Sequence, residues 1–222
     1  MDSRIAQVQE VLRVYPGLQL RPFIDDLITM SGELAFAAQK PGYERIEDSF
    51  QIQLSVGEQF PKELPAVREL GGRIPREYHM IDNGELCLGS PTRLMLALTK
   101  EPTILAFIRT CVIPYLYGFA YWERHGEMPY GELAHGRKGV LRDMASLFHV
   151  DSEQAALQMI ELAALKQGVA NKHPCPCGSG LVLAKCHNRV VNHLRRSLGS
   201  AWFRDQHRWL GRPSARYHRV IE

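Results

Sequence analysis

The sequence predicts an α+β fold, an antiparallel β-meander flanked by helices, with a small cysteine-bearing knuckle and a helical tail at its C-terminal end. Three observations predict it. Apolar side chains alternate along Phe50, Ile52, Leu54 and Val56, between neighbours separated only by brief Pro- and Gly-bearing turns. Helical apolar spacing recurs before and after that stretch. Three of the five cysteines fall between positions 175 and 186.

The elements follow in order. Over residues 3–15, Ile5, Val8, Val11 and Leu12 share one helical face behind Ser3 as a cap, and Pro16-Gly17 ends the helix. Extended segments are expected around 30–39, 48–56 and 65–70. From 71 to 91, two prolines, a Gly-Gly pair and Asn83-Gly84 predict mostly loop and turn, the kind of segment that often carries function. Residues 102–123 are apolar and aromatic and open on Pro102, which predicts a buried helix interrupted or kinked near Pro114. Cys111 on that helix reads as a small core residue. A polar glycine-rich stretch spans 127–139, and two further helices are expected at 139–149 and 151–167, the second behind Asp151 and Ser152. Gly168 ends it, so the domain boundary is placed in the linker 168–174. The expected organisation is a main domain over 1–167, a knuckle over 168–190 and a basic amphipathic helix and tail over 191–222.

Composition narrows the function classes. With 45% hydrophobic and 23% charged residues in 222, the chain is that of a globular protein and is neither disordered nor fibrous. The sequence reading finds no stretch approaching the roughly 20 apolar residues of a membrane span and an N-terminus unlike a signal peptide, so a soluble, cytoplasmic protein with no membrane partner is expected. An odd number of cysteines, three of them crowded together, fits a reducing compartment better than a disulfide framework. The net charge of +3 is uneven: eight arginines follow Asn188 against only Asp205 and Glu222.

The crowded cysteines lie in His173-Pro-Cys-Pro-Cys-Gly-Ser-Gly, which runs on to Cys186-His187. Cys175, Cys177, Cys186 and His187 offer four sulfur and nitrogen ligands in two pairs, the donor set of a tetrahedral zinc with no open position, hence a structural Zn2+. Gly178, Ser179 and Gly180 allow backbone amides to turn toward the thiolates. The alternative is three small buried cysteines grouped by chance. The segment resembles the SEC-C motif, a zinc-binding knuckle appended to many unrelated proteins, and departs from it at Leu181-Val-Leu-Ala, where that family carries lysines and a tyrosine.

A second pattern precedes it. Ser49-Phe-Gln-Ile-Gln-Leu, Gln59-Phe-Pro, Leu64-Pro-Ala-Val, Tyr78-His79 and Asn83-Gly-Glu-Leu-Cys-Leu resemble the ubiquitin-conjugating enzymes over roughly residues 30–125. Met128-Pro-Tyr-Gly-Glu-Leu-Ala-His-Gly is similar to bacterial members of that fold found in CBASS anti-phage operons beside a cGAS-like nucleotidyltransferase. The resemblance implies a transferase: Cys87 forms a thioester with the C-terminus of a partner protein, the nucleotidyltransferase, and passes it to an acceptor. A thiolate is both a good nucleophile and a good leaving group. Acyl transfer also needs donors for an oxyanion. Related enzymes place a His-Pro-Asn triplet there, whereas this chain has His79-Met80-Ile81. His79 matches the histidine; either Asn83 or backbone amides near Cys87 can replace the asparagine. His135 is expected in a solvated loop that borders the site by resemblance.

No phosphate-binding glycine loop is present, so either a separate activating enzyme supplies the cargo or the cargo arrives by another route. Residues 188–210 read as an amphipathic helix docked by its apolar face. Trp202, Phe203 and Trp209 among arginines also suit nucleic-acid stacking, a less favoured reading. The rival function is a non-catalytic adapter that binds the same partner through its surface and knuckle.

Overall fold

The computed structural model describes residues 3–22, 26–81, 83–131 and 136–211; His135 and the tail beyond 211, both considered from the sequence, lie outside the described residues. The chain forms two compact units, residues 1–132 and 133–222. The break falls well before the linker at 168–174. The two helices expected to close the main domain therefore belong to the C-terminal unit with the knuckle. Their partner is a helix on the far side of the knuckle, a long-range contact that local spacing cannot reveal.

In the first unit, α1 (Ser3–Val14) buries Val8 and Val11. Pro16 and Gly17 end it and lead into β1 (Leu18–Leu20), β2 (Ile28–Gln39), β3 (Arg45–Val56) and β4 (Ala66–Glu69). The four form an antiparallel sheet in the order β1-β2-β3-β4. β2 and β3 pair along their whole length, from Ile28 opposite Val56 to Gln39 opposite Arg45. β1 pairs with residues 30–32, and just before it the backbone of Gly17 approaches that of Gly32 too closely for side chains. A Cβ on Gly32 would lie 2.2 Å from the Gly17 carbonyl oxygen, and its φ of +141° is one that L-residues rarely adopt. One face of the sheet carries Met30, Leu34, Phe50, Ile52 and Leu54 into the core. The other carries Glu33, Ala35, Ala37 and Glu47 outward. That alternation is the one expected of a sheet covered on one side.

The cover is helical. α2 (Pro91–Lys100), unforeseen in the sequence, begins after Ser90 with Pro91 and buries Thr92, Met95 and Leu98. α3 (Ile104–Phe107) starts with Thr103 Oγ1 accepting from the Ala106 amide at 3.0 Å. A π turn over Ile108–Val112 joins it to α4 (Ile113–His125). Pro114 has no N–H to give the carbonyl four residues back, and a one-residue widening just before it accommodates the ring. The predicted interruption is thus real and sits on the N-terminal side of the proline. Contrary to the sequence reading, Ile104–His125 is long and apolar enough by length and composition to cross a membrane. Its residues Phe107, Val112, Leu116, Tyr117 and Phe119 are buried in the unit's own core, which accounts for that composition.

In the second unit, α5 (Gly136–Phe148) and α6 (Glu153–Ala164) pack together, and α8 (Asn188–Leu210) runs back along α6, after the short α7 (Gln167–Ala170) and the knuckle. Ser152 caps α6, its Oγ accepting from the Ala155 amide at 3.1 Å. Gly199 (φ 83°, ψ 153°) breaks α8, and beyond the break Phe203 meets Phe148 of α5, ring centroids 6.1 Å apart. Phe203 and Trp209 are buried, as the packed-helix reading expects.

Candidate metal centre and the Cys87 turn

The knuckle is a small hairpin. The Cys175 amide donates to the Leu181 carbonyl at 2.8 Å, the Leu183 amide to that of His173 at 2.8 Å, and Pro174 bridges Val182. Gly178 (φ 79°) and Gly180 (φ 74°) take the left-handed conformations the tip requires. Buried Leu183 opens a single 3-10 turn (Leu183–Lys185), which delivers Cys186 and then His187 at the start of α8. The result brings all four sequence-predicted ligands together, their donor atoms lying within 4.8 Å of one another.

The spacing is that of a coordination shell. Cys175 Sγ and Cys186 Sγ lie 3.2 and 3.1 Å from His187 Nδ1, and Cys177 Sγ lies 3.4 Å from Cys186 Sγ. Zinc bonds of about 2.3 Å to sulfur and about 2.0 Å to nitrogen set tetrahedral edges of roughly 3.5–3.8 Å, close to these separations. His187 Nε2 lies 3.2 Å from the carbonyl of His149, which fixes the proton on Nε2 and leaves Nδ1 free to ligate. Ser179 supplies the support expected of the glycine-flanked tip. Its hydroxyl and amide both hydrogen-bond Cys177 and hold that thiol below the ordinary range, while burial pushes Cys175 up. The cluster can hold a metal ion, and its donor chemistry fits zinc.

Cys87 sits on a turn at the opposite end of the irregular stretch from β4. The Leu86 amide donates to Val67 of β4 at 2.7 Å, and Met80 bridges Leu86. The Cys87 amide donates to the His79 carbonyl at 2.7 Å. Its thiol is half-buried and pushed up by burial, an effect partly offset by a hydrogen bond from the Gly89 amide. Gly89 has a φ of 142°, so the residue that presents this amide must be glycine.

The predicted helpers are placed differently from each other. His79 is buried in the left-handed region (φ 42°), its ring edge-on to Tyr78, and it touches Cys87 through its carbonyl. Asn83 is exposed, and its Oδ1 accepts from the Glu85 amide at 3.0 Å, closing the Asn-Gly turn. Tyr115, unremarked in the sequence, is closely engaged: its hydroxyl donates to the carbonyls of Tyr78 at 2.9 Å and His79 at 3.2 Å. Burial, with smaller contributions from Tyr78, Cys87 and Glu69, drives its pKa far above the ordinary tyrosine value, so it stays a donor. The only sequence signal was a tyrosine in a buried helix, whose hydroxyl must find a partner. Cys111 is buried in the π turn beside Thr110, as a core thiol should be.

The arginines of the tail have internal work. Arg195 donates to the carbonyls of Leu162 at 2.8 Å and Ala163 at 3.1 Å, and Arg204 to that of Ala164 at 3.4 Å, which closes the C-terminal end of α6.

Residues 174–189 match the SEC-C motif family, which covers the knuckle and its four donors. No curated protein and no solved structure matches the chain.

Proposed function

We propose that this protein carries an acyl group as a thioester on Cys87, in the manner of the ubiquitin-conjugating enzymes, and that its C-terminal knuckle binds a structural zinc. The observation that carries the acyl-carrier reading is the Cys87 turn: a half-buried thiol with the Gly89 amide directed at its sulfur, on a loop pinned by His79 and Tyr115. The element order, one helix, a four-stranded meander, the cysteine and then helices, supports a ubiquitin-conjugating-like fold.

In the reaction, Cys87 as thiolate attacks the carbonyl of an acyl group already activated as a thioester on a separate enzyme. The new sulfur–carbon bond forms as the old one breaks, and the departing thiolate takes up a proton. An acceptor amine then attacks the same carbon, loses a proton, and releases the Cys87 thiolate. The Gly89 amide is a donor that can serve either the thiolate or the oxyanion. His79 acts through its backbone and Asn83 by holding the turn. Zinc at Cys175, Cys177, Cys186 and His187 supplies structure and no open position for chemistry.

By the resemblance noted in the sequence, the cargo is the C-terminus of a cGAS-like nucleotidyltransferase, the setting is anti-phage defence, and the compartment is the reducing cytoplasm. The test is co-expression with such a nucleotidyltransferase, as wild type and Cys87→Ala. A thiol-sensitive adduct joining Cys87 to the partner's last residue, absent from Cys87→Ala, is the expected result. Equal co-purification of both versions without an adduct would instead make the protein a non-catalytic adapter.

A further inference from the structure

The sheet leaves part of its β2 edge open. Residues 17, 19 and 21 face 33, 31 and 29 across the β1–β2 pair, with the Glu33 amide donating to Gly17 at 3.0 Å and the Arg21 amide to Thr29 at 2.8 Å. In a strand, alternate residues direct their amide and carbonyl to the same side. Ala35 and Ala37 therefore direct theirs to the same edge as Glu33, where β1 no longer runs. Pro16, opposite Leu34, directs its backbone away from β2, and Tyr15, which would stand opposite Ala35, already belongs to the turn closing α1, its amide donating to Val11 at 2.8 Å. Among the described residues, no hydrogen bond outside the sheet ladder engages the amides of Ala35 and Ala37, whose position in the β1–β2 register turns them away from β3, and both residues are exposed.

The edge is flanked by a groove on one side and by open sheet surface on the other. Toward the helices, a groove of about 510 Å³ lies between this stretch of β2 and Tyr15, Arg109, Ile113, Pro114 and Tyr130. On the outer face, a shallow and open stretch of sheet surface is lined by Glu33, Glu47 and Asp48 with the two alanines. Arg109 is exposed on the helical wall and has no carboxylate partner among the described residues. Arg109 makes the helical wall cationic, while on the outer face Glu33 is the acid without an ion-pair partner among the described residues, Glu47 pairing with Arg45 at 3.0 Å and Asp48 with Arg73 at 2.8 Å.

We propose that residues 33–39 of β2 receive an extended peptide as an added strand, with its acidic side chains directed at Arg109. An added strand pairs with the free amides and carbonyls of Ala35 and Ala37, and its side chains fall alternately into the groove and onto the outer face of the sheet. Small alanines admit close approach. Acidic residues on the groove-facing positions meet Arg109, while the same residues on the other face would meet Glu33 and no unpaired cation among the described residues, so an alternating sequence fixes the register. This site lies on the opposite edge of the sheet from β4 and the Cys87 turn, and it does not depend on thioester chemistry.

The probe is a fluorescein-labelled octapeptide alternating Glu and Val, compared with one alternating Lys and Val, titrated into the full-length protein. The Glu peptide is expected to bind at least about tenfold more tightly than the Lys peptide, and Arg109→Glu to reverse that order. Ala37→Pro removes one outward amide without touching the β2–β3 ladder and should weaken the Glu peptide by about tenfold or more. Hydrogen exchange at Ala35 and Ala37 should slow when peptide is added, an independent readout if the proline variant folds poorly. Cys87→Ala should bind as wild type does, which separates this site from the acyl-carrier reading. Binding indifferent to Ala37→Pro and Arg109→Glu, no binding of either peptide at millimolar concentration, or a self-dimer abolished by Ala37→Pro would each overturn the proposal.

Discussion

The ring of His187 hydrogen-bonds the backbone of His149: Nε2 lies 3.2 Å from a carbonyl that belongs to a residue in the left-handed region, φ 58°. His149 ends α5, where the Val150 amide reaches back to Ala145 at 3.0 Å, and this left-handed turn aims the carbonyl at the candidate metal ligand. The helix terminus and the knuckle are therefore one construction. The side chain of His149 is exposed and contributes little packing. His149→Gly should keep metal content unchanged and alter stability by less than about 1 kcal/mol, with relief of strain favouring stabilisation. Thermal unfolding alongside metal analysis checks it.

Metal removal should act on the C-terminal unit. Without an ion, three thiols and an imidazole remain crowded within 4.8 Å of one another, held by the hairpin's own hydrogen bonds alone. Chelation or Cys186→Ser should cost several kcal/mol of that unit's stability, on the order of the lower end of structural zinc sites or below. Hydrogen exchange resolved by region would show α5, α6 and α8 losing protection. Retained protection in all three would count against a structural ion.

Tyr115→Phe deletes one hydroxyl and preserves the ring that lies against Tyr78, centroids 5.7 Å apart. Two buried carbonyls lose a donor, at a cost of about 1–3 kcal/mol. Because the His79 carbonyl also receives the Cys87 amide, the rate at which iodoacetamide alkylates Cys87 should change as well. Peptide mapping by mass spectrometry gives that rate specifically.

Cys87 should react faster as pH rises, with a midpoint above that of an ordinary thiol, because burial disfavours its thiolate. The linkage has the matching sign. Folding favours the protonated thiol, so its contribution to stability is full below the unfolded thiol pKa and is lost as pH climbs through the raised one. Gly89→Ala, which removes the conformation that presents the amide, should move the alkylation midpoint higher still. An unchanged midpoint would show that this amide does not stabilise the thiolate.

Arg195→Ala should destabilise the protein by about 1.5–3 kcal/mol, since it removes charge-assisted bonds to two carbonyls at the end of α6. Burial lowers the Arg195 pKa, so the effect should respond weakly to added salt. Denaturant unfolding at low and high salt measures both.

What could be read from the sequence was local. The Phe50–Val56 alternation and the ligand spacing of the knuckle each repeat within a few residues and reappear in the fold, and the α1 face reappears at Val8 and Val11, whereas Ile5 is exposed and Arg4 is buried in its place. What escaped depends on distant partners. β1 is three residues long and exists because Leu18–Leu20 meets Met30–Gly32. Tyr115 matters through carbonyls at Tyr78 and His79, far away in the chain. α2 carried a legible start at Ser90-Pro91, but it follows a stretch whose glycines and prolines dominate the pattern. The compact units divide near residue 132 because α6 finds α8 only after the knuckle has turned the chain back.

That reversal has a polymer-physics consequence. α6 ends at Ala164 and α8 begins at Asn188, so everything between them is a loop that must be closed for the two helices to lie together. An ion gripping both ends of the 175–187 segment replaces most of that flexible contour by a rigid clasp and shortens the loop the unfolded chain must close. Since closure entropy grows by only about 0.6 kcal/mol for each doubling of loop length, insertions outside the clasp, between Leu165 and His173, should be tolerated far better than insertions within it.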